Sequence, residues 1–166
     1  MFGNGRAIAA KAFLASRPDV KLNAISLLGW SNGAATVLYA VGRARPGTST
    51  TPDFASAVAF YPGCRLPAKR GDWHATTPLL ILIGASDDWT PAKPCEALAE
   101  RAKAAGEPVS IVVYPDAYHD FDHPKLAVHE TADLAFTAAG GGSAHSGTNP
   151  AARADALKRV PAFFAK

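Results

Sequence analysis

The chain has 166 residues, 48% of them apolar, and a formal net charge of +3 at pH 7, which predicts a single domain over residues 1–166 with a real core. Its 17 lysines and arginines are scattered rather than clustered, which disfavours a nucleic-acid partner. No apolar stretch approaches the ~18 residues of a membrane span, and residues 1–16 lack the features of a signal peptide, so we expect a soluble, cytoplasmic protein without a membrane partner.

The first half of the chain alternates helical and strand patterns. Arg17-Pro18 ends the first helical pattern, because a residue before proline avoids the α region. The next strand pattern leads directly into a glycine-flanked serine and then into an Ala-rich helical segment. The predicted elements are, in order, a helix over 5–16, a strand over 23–28, a helix after Ser31 to about Val41, a loop over 42–53 and a strand over 55–61.

The second half contains the strongest strand pattern, five apolar residues over 79–83 closed by Gly84. Gly106 predicts a helix C-cap, and Pro150 suits the first position of the last helix. The other predicted elements are a helix over 94–105, a strand over 109–114 and a helix over 151–164, with irregular structure over 64–77, no convincing periodicity over 115–150 and a flexible stretch over 140–143.

These patterns predict the fold class. The strand runs are apolar without alternation and are separated by helices, which favours a parallel sheet covered on both faces. We therefore expect an α/β protein with three α/β/α layers and about four mainly parallel strands.

Residues 29–33 form a Gly-x-Ser-x-Gly motif between the predicted strand and helix. This context is typical of a nucleophile elbow, in which a serine at the tip of a strained turn projects its hydroxyl beyond the strand ends. Gly29 and Gly33 would allow the close passage of the backbone. Ser31 is the candidate nucleophile, and the alternative is an ordinary tight turn with a capping serine.

A serine nucleophile needs a base and an orienting acid, both in loops after parallel strands. The loop after the strand at 79–83 offers Asp87 and Asp88, of which only one should face the histidine; helix capping is the alternative role. The loop after the strand at 109–114 offers His119 as the base, with His123 as its main rival.

Five sequence blocks resemble the dienelactone hydrolase family of α/β-hydrolases. They are Gly-Trp-Ser-Asn-Gly (29–33), Phe-Tyr-Pro-Gly-Cys (60–64), Gly-Ala-Ser-Asp-Asp-Trp-Thr-Pro (84–91), Tyr-Pro-Asp-Ala-Tyr-His-Asp-Phe-Asp (114–122) and Thr-Asn-Pro-Ala-Ala-Arg-Ala-Asp-Ala (148–156). The resemblance implies that Asp87 is the acid and His119 the base. The founding members use cysteine where this chain has Ser31. This difference disfavours dienelactone as the substrate and favours a serine hydrolase that acts on other carboxylic esters.

The resemblance also suggests a disulfide between Cys64 and Cys95 that could brace the acid loop. The alternative is two small half-buried residues, and a cytoplasmic location disfavours the bridge.

In this family's fold, several strands and a helix normally come before the helix at 5–16. The resemblance therefore implies a truncated α/β-hydrolase fold in which the strand at 23–28 is an edge. A homo-oligomer, most simply a dimer, is expected to cover that edge. The backbone N–H of Asn32 is the expected first oxyanion donor, and a second donor must come from another group or a partner chain.

The sequence thus predicts a serine hydrolase for small carboxylic esters, with Ser31, His119 and Asp87 as a catalytic triad. Trp30, Trp89 and Tyr118 flank the three loops and could line a substrate pocket, or simply pack around them. No ligand-spaced cluster or phosphate loop is present, so no metal or other cofactor is implied. The rival function is a weak or inactive fragment that serves as an oligomeric scaffold or small-molecule binder.

Overall fold

The computed structural model describes residues 4–43, 54–75 and 77–166. Within these ranges the helices are α1 (Asn4–Ala15), α2 (Asn32–Val41), α3 (Arg65–Lys69), α4 (Ala92–Ala104) and α5 (Pro150–Phe164), with one 3-10 helix at Leu22–Ala24. The strands are β1 (Leu27–Trp30), β2 (Gly42–Arg43), β3 (Ala57–Phe60), β4 (His74–Ala75), β5 (Leu79–Gly84), β6 (Val109–Tyr114), β7 (His129–Leu134) and β8 (Gly142–Ser146).

The central sheet is parallel and has the strand order β1-β3-β5-β6. Its register aligns Gly29 with Ala59, Ala59 with Ile81, and Ile81 with Ile111. Because all four strands run in the same direction, their carboxyl ends meet at one edge of the sheet. The predicted three-layer α/β fold is confirmed, and this edge collects the loops that carry the candidate site.

Burial explains why the strand patterns were apolar throughout. All six residues of β5 and all four of β3 are buried, since helices cover both faces of the sheet. The buried core also takes in one face of α2, including Leu38, and Leu98 of α4. The helices predicted at 5–16, after Ser31, at 94–105 and at 151–164 are confirmed to within two residues at each end.

The first strand lies later in the chain than predicted. Residues 22–24 form the 3-10 helix, and the strand spans Leu27–Trp30 instead of residues 23–28. Hydrogen bonding between β1 and the segment of β3 begins at Leu27, whose N–H donates to the Ser56 carbonyl over 3.0 Å. It then runs to Trp30, so that Ser31 follows the strand with no intervening residue.

The region predicted to be irregular, residues 64–77, contains short elements. Helix α3 has five residues, and β4 pairs antiparallel with β2 over two residues. Elements this short contain too few residues to give a periodic pattern. Within the predicted loop over 42–53, residues 42 and 43 form β2, and residues 44–53 lie outside the described residues.

Residues 115–150 contain a hairpin that the sequence did not predict. Strand β7 pairs antiparallel with β8, and the register shifts between Thr131 and Leu134. The stretch 140–143, predicted to be flexible, forms the turn and the start of β8, where Gly140 and Gly142 adopt positive φ of 112° and 105°. The strands of this hairpin are mostly polar and lack the alternation of apolar and polar residues by which strands are identified in a sequence.

Candidate active site

Ser31 lies in the strained turn that a nucleophile elbow requires. Its φ is 49° and its ψ is −115°, a conformation that serine rarely adopts. The Ser31 N–H continues the parallel ladder by donating to the Phe60 carbonyl over 2.9 Å, and α2 begins at the next residue. The strand thus holds the backbone of Ser31 while the turn directs its half-buried side chain away from the sheet.

The two motif glycines differ in their steric role. A Cβ on Gly29 would lie 2.6 Å from the carbonyl carbon and oxygen of Gly33, so residue 29 must be glycine for α2 to approach the strand. A Cβ on Gly33 would meet nothing within 4 Å beyond its own helix. The expected crowding is therefore confirmed at Gly29 and wrong at Gly33.

The side chains of Ser31, His119 and Asp87 form one hydrogen-bonded line. His119 Nδ1 lies 2.9 Å from Asp87 Oδ2, and His119 Nε2 lies 2.8 Å from Ser31 Oγ. Because a carboxylate can only accept, this geometry fits the imidazole tautomer with its proton on Nδ1, in which Nε2 accepts from the serine hydroxyl. The side chains of His119 and Asp87 are 2% and 0% exposed, which shields this pair from water.

Asp87 is held by the turn that contains it. Its Oδ1 accepts the backbone N–H groups of Trp89 at 3.0 Å and Thr90 at 2.7 Å. The Thr90 hydroxyl lies 3.1 Å from Asp87 Oδ2, 3.2 Å from His119 Nδ1 and 3.0 Å from the Tyr61 carbonyl. With Oδ1 occupied, Oδ2 remains for the histidine.

Sequence reasoning missed the contribution of Thr90 and Tyr61. Tyr61 directly follows β3, and its ring centroid lies 4.5 Å from that of His119. The placement of Tyr61 after a central parallel strand was the available signal, since this position lies at the same edge as the other loops. The threonine could have been found from its position three residues after Asp87, where an aspartate side chain caps a turn.

The two alternatives for acid and base lie elsewhere. Asp88 pairs with His145 of β8 rather than with His119. The exposed His123 accepts the N–H of Lys125 at Nδ1 over 3.2 Å. Adjacent aspartates do point apart as expected, but each of them faces a histidine.

The Asp88–His145 pair holds the hairpin against the acid loop. His145 Nδ1 donates to Asp88 Oδ2 over 2.7 Å, and the His145 N–H donates to Oδ1 over 2.8 Å. Burial alone would raise the pKa of Asp88, but the hydrogen bonds from His145 outweigh burial and lower that pKa. The same hydrogen bond raises the pKa of His145.

The three predicted wall residues separate into two groups. Trp30 is 45% exposed and stacks on Phe60 with a centroid distance of 5.6 Å, next to Ser31. The ring of Trp89 lies 4.9 Å from His119. Tyr118 instead lies against His145, at 5.2 Å. Trp30 and Trp89 thus border the triad, while Tyr118 belongs to the neighbouring pair.

The backbone of Asn32 lies at the first position of α2. The first N–H groups of a helix have no intrahelical partner, and the helix dipole favours negative charge there. The Asn32 N–H therefore lies next to Ser31, at the end of α2 where negative charge is favoured.

Cys64 and Cys95 form a disulfide. Cys64 lies four residues after β3 and Cys95 lies in the first turn of α4, so the bond links the segment after β3 to the helix that follows the acid loop. Of the two readings of the cysteines, the bridge is the one that the structure contains. It joins two residues that are 31 positions apart in the sequence, which restricts the unfolded chain.

Comparison with known proteins supports this assignment of the fold. The family model described as "Dienelactone hydrolase family" matches residues 4–166. A Klebsiella pneumoniae protein provisionally named a dienelactone hydrolase is 20% identical, with a TM-score of 0.67, over 98% of this chain and 60% of its own. A dienelactone hydrolase-like promiscuous phosphotriesterase from metagenomic libraries has the same TM-score and coverage at 19% identity.

A Thermogutta terrifontis esterase is 21% identical with a TM-score of 0.51, over 68% of this chain and 54% of its own. The chain thus spans about 60% of the length of the first two structures, and identities this low show the fold alone. A comparison with curated proteins found no match.

Across residues 4–43, 54–75 and 77–166, none of the helices has both the length and the apolar character that crossing a bilayer requires.

Proposed function

The chain belongs to the dienelactone hydrolase family, and we propose that it is a serine hydrolase that cleaves small carboxylic esters through an acyl-enzyme intermediate. The observation that carries this proposal is the line of two hydrogen bonds, 2.8 Å and 2.9 Å long, from Ser31 through His119 to Asp87. Family membership supports a hydrolase, and the proposal adds the serine mechanism and the class of substrate.

In the first half of the proposed reaction, Ser31 Oγ attacks the acyl carbon of the ester while His119 Nε2 takes the hydroxyl proton. The Asp87 carboxylate keeps Nδ1 protonated and stabilises the imidazolium ion that forms. The tetrahedral intermediate then collapses, the bond to the alcohol oxygen breaks, and His119 returns its proton to the leaving alcohol. The acyl group remains on Ser31.

In the second half, His119 Nε2 takes a proton from water, and the water oxygen attacks the acyl carbon. When the bond to Ser31 Oγ breaks, the proton on His119 returns to Oγ and the carboxylic acid leaves. The Asn32 N–H is proposed to stabilise the oxyanion in both halves. Trp30, Trp89 and Tyr118 are proposed as walls of the substrate pocket, with the two tryptophans nearer the reacting carbon.

We also propose that a second copy of the chain covers the edge of the sheet. Among the described residues β1 pairs on one side only, with β3. Leu28 and Trp30 of this strand are 41% and 45% exposed, and Phe13 of α1 is 63% exposed. Exposed apolar edge strands favour pairing with another chain, and a two-fold dimer closes such an edge. Light scattering should give twice the chain mass of 17.3 kDa, and a monomer at micromolar concentration would contradict the proposal.

The test of the catalytic proposal is turnover of p-nitrophenyl acetate and butyrate by the wild type and Ser31→Ala. We expect turnover well above buffer hydrolysis for the wild type, and a loss of roughly 10⁴-fold or more for Ser31→Ala. A fluorophosphonate probe should label Ser31, as mapped by mass spectrometry.

Ser26→Ala is the matched control, because Ser26 lies before the same strand and its hydroxyl is hydrogen-bonded to that of Ser56 at 2.9 Å, away from His119. It should retain the wild-type rate. Turnover that survives Ser31→Ala would remove the mechanism. A wild type with neither turnover nor labelling would favour the rival function, an oligomeric scaffold or small-molecule binder.

A further inference from the structure

A second hydrogen-bonded line runs beside the triad and is centred on Asp122. The indole N–H of Trp30 donates to Asp122 Oδ2 over 2.8 Å, and the Tyr61 hydroxyl donates to Oδ1 over 2.7 Å. Trp30 precedes the nucleophile, Tyr61 follows β3, and Asp122 lies three residues after the base. The two carboxylate oxygens therefore join three of the segments that build the site.

The backbone around Asp122 is anchored without its carboxylate. Phe121 is fully buried, and its carbonyl accepts the N–H of Asn149 at 3.0 Å. The Asp122 carbonyl accepts Nε of Arg153 at 3.1 Å, and the His119 carbonyl accepts the N–H of Gly147 at 2.9 Å. Because these contacts fix the loop, the carboxylate acts as a rigid acceptor that holds Trp30 and Tyr61.

Both partners of Asp122 touch the triad. Trp30 is covalently attached to Ser31, and its half-exposed ring would have several orientations without a fixed hydrogen bond. The Tyr61 ring packs on His119, and the Tyr61 carbonyl lies 3.0 Å from the Thr90 hydroxyl beside Asp87. Burial and the hydrogen bond to Asp122 raise the pKa of Tyr61, so its hydroxyl remains a donor.

We propose that Asp122 is a positioning residue, which locks Trp30 and Tyr61 and thereby keeps Ser31 Oγ within hydrogen-bond distance of His119 Nε2. The proposal rests on the proposed function of Ser31 as the nucleophile. Asp122 touches none of the reacting atoms and acts through its two partners. A displacement of about 1 Å in such a site can cost on the order of 10²-fold in rate, which sets the scale of the expected effect.

Three variants test the line. Asp122→Ala removes both hydrogen bonds, and Tyr61→Phe removes one of them. Asp122→Asn can still accept from the indole through its amide oxygen and donate to the phenol oxygen through its amide nitrogen, so it is the conservative rescue. We expect Asp122→Ala to lower kcat by about 10- to 100-fold with a smaller change in KM, and Asp122→Asn to recover most of the loss.

Asp155→Ala is the matched control. Asp155 accepts the hydroxyl of the buried Tyr114 over 2.7 Å, the same length as the Tyr61–Asp122 bond, but its other partner is Arg159 on α5. Each alanine variant therefore leaves one buried tyrosine hydroxyl without its carboxylate, with similar effects on stability. Only Asp122→Ala should slow turnover and fluorophosphonate labelling, measured well below both melting temperatures.

Nuclear magnetic resonance gives a readout that does not need activity. The indole N–H signal of Trp30 and the imidazole signals of His119 should shift in Asp122→Ala, return towards wild type in Asp122→Asn and stay in place in Asp155→Ala. The double variant Tyr61→Phe, Asp122→Ala should lose no more kcat than Asp122→Ala alone, because the effects of substitutions within one hydrogen-bond network are not additive.

Two outcomes would overturn the proposal. One is Asp155→Ala slowing labelling as much as Asp122→Ala; the other is Asp122→Ala retaining wild-type labelling and unshifted His119 signals. If the wild type neither turns over esters nor labels at Ser31, the proposed function fails separately. The His119 and Trp30 signals then decide whether Asp122 positions these side chains.

Discussion

Asp87 and Asp88 are neighbours in the chain, and each pairs with a histidine, yet the two pairs are built differently. Asp87 and His119 are 2.9 Å apart with side chains 0% and 2% exposed. Asp88 and His145 are closer, at 2.7 Å, but both side chains are 39% exposed. Beyond the ring of His119 lies Ser31 Oγ at 2.8 Å, whereas the described residues place no hydroxyl at the second ring nitrogen of His145.

The difference shows that a short aspartate–histidine distance does not identify a catalytic pair. The buried pair excludes water, which strengthens its electrostatic interactions, and its histidine contacts the proposed nucleophile, Ser31. The exposed pair is screened by solvent and connects the acid loop to β8. We therefore expect the first pair to determine the rate and the second to contribute to stability.

The largest expected effect comes from replacing each aspartate by asparagine. In Asp87→Asn the amide NH₂ can donate to His119 Nδ1, which favours the tautomer that cannot accept the Ser31 proton. We expect kcat to fall by about 10⁴-fold. Asp88→Asn leaves the triad intact, and its rate should stay within about tenfold of wild type.

Both variants should be measured with p-nitrophenyl acetate at saturating concentration, and each protein should be checked for folding by circular dichroism. A loss of rate in Asp88→Asn equal to that in Asp87→Asn would break the distinction between the pairs. So would wild-type turnover by Asp87→Asn.

A second, smaller effect is expected at Gly84, the residue that ends β5 ahead of both aspartates. A Cβ there would lie 2.0 Å from the carbonyl oxygen of Ala117, two residues before His119. Gly84→Ala must push the acid and base loops apart, and overpacking of this kind costs about 1–3 kcal/mol in the free energy of unfolding. Gly84→Ala should therefore lengthen the hydrogen bonds of both the Asp87–His119 and the Asp88–His145 pair.

Gly63→Ala is the control for this change, because a Cβ at Gly63 meets nothing within 4 Å. The urea midpoint of unfolding and the rate of ester turnover should both be lower for Gly84→Ala and nearly unchanged for Gly63→Ala. Equal midpoints for Gly84→Ala and the wild type would show that the loops have room to adjust.

The sheet could be predicted because each of its strands is marked in the local sequence. The apolar run at 79–83 became the fully buried β5, and the strand predicted at 109–114 has the bounds of β6. The start of β1 could not be placed, since it depends on where β3 offers a partner for Leu27. The hairpin of β7 and β8 was missed because its mostly polar strands carry no strand-like pattern.

The candidate site was predicted only in part, for a related reason. The motif around Ser31, the loop order and the family resemblance pointed to His119 and Asp87, which the structure brings together. Asp122 contacts Trp30 and Tyr61 across distant segments of the chain, at 2.8 Å and 2.7 Å. Long-range hydrogen bonds of this kind leave no spacing in the sequence that could reveal them.

The smallest expected effect is a pH-dependent contribution of the exposed pair to stability. The pKa of His145 is raised above its ordinary value of 6.5, so its contribution is full below that value and is lost as the pH rises through the raised pKa. The pKa of Asp88 is lowered below 3.8, so its contribution is lost only as the pH falls through that lowered pKa. The pair should therefore stabilise the fold most at about pH 5–6.

Thermal unfolding of wild type and His145→Gln across pH 5–9 tests this window. The difference in Tm should be largest near the acid end, shrink towards about pH 9 and diminish in high salt, because the pair is exposed. His123→Gln is the control: the His123 side chain is exposed and its Nδ1 accepts the Lys125 N–H rather than facing a carboxylate, so its small effect should not follow this profile. A Tm difference for His145→Gln that grows with pH would mean that the neutral ring, through packing on Tyr118, is what holds the hairpin.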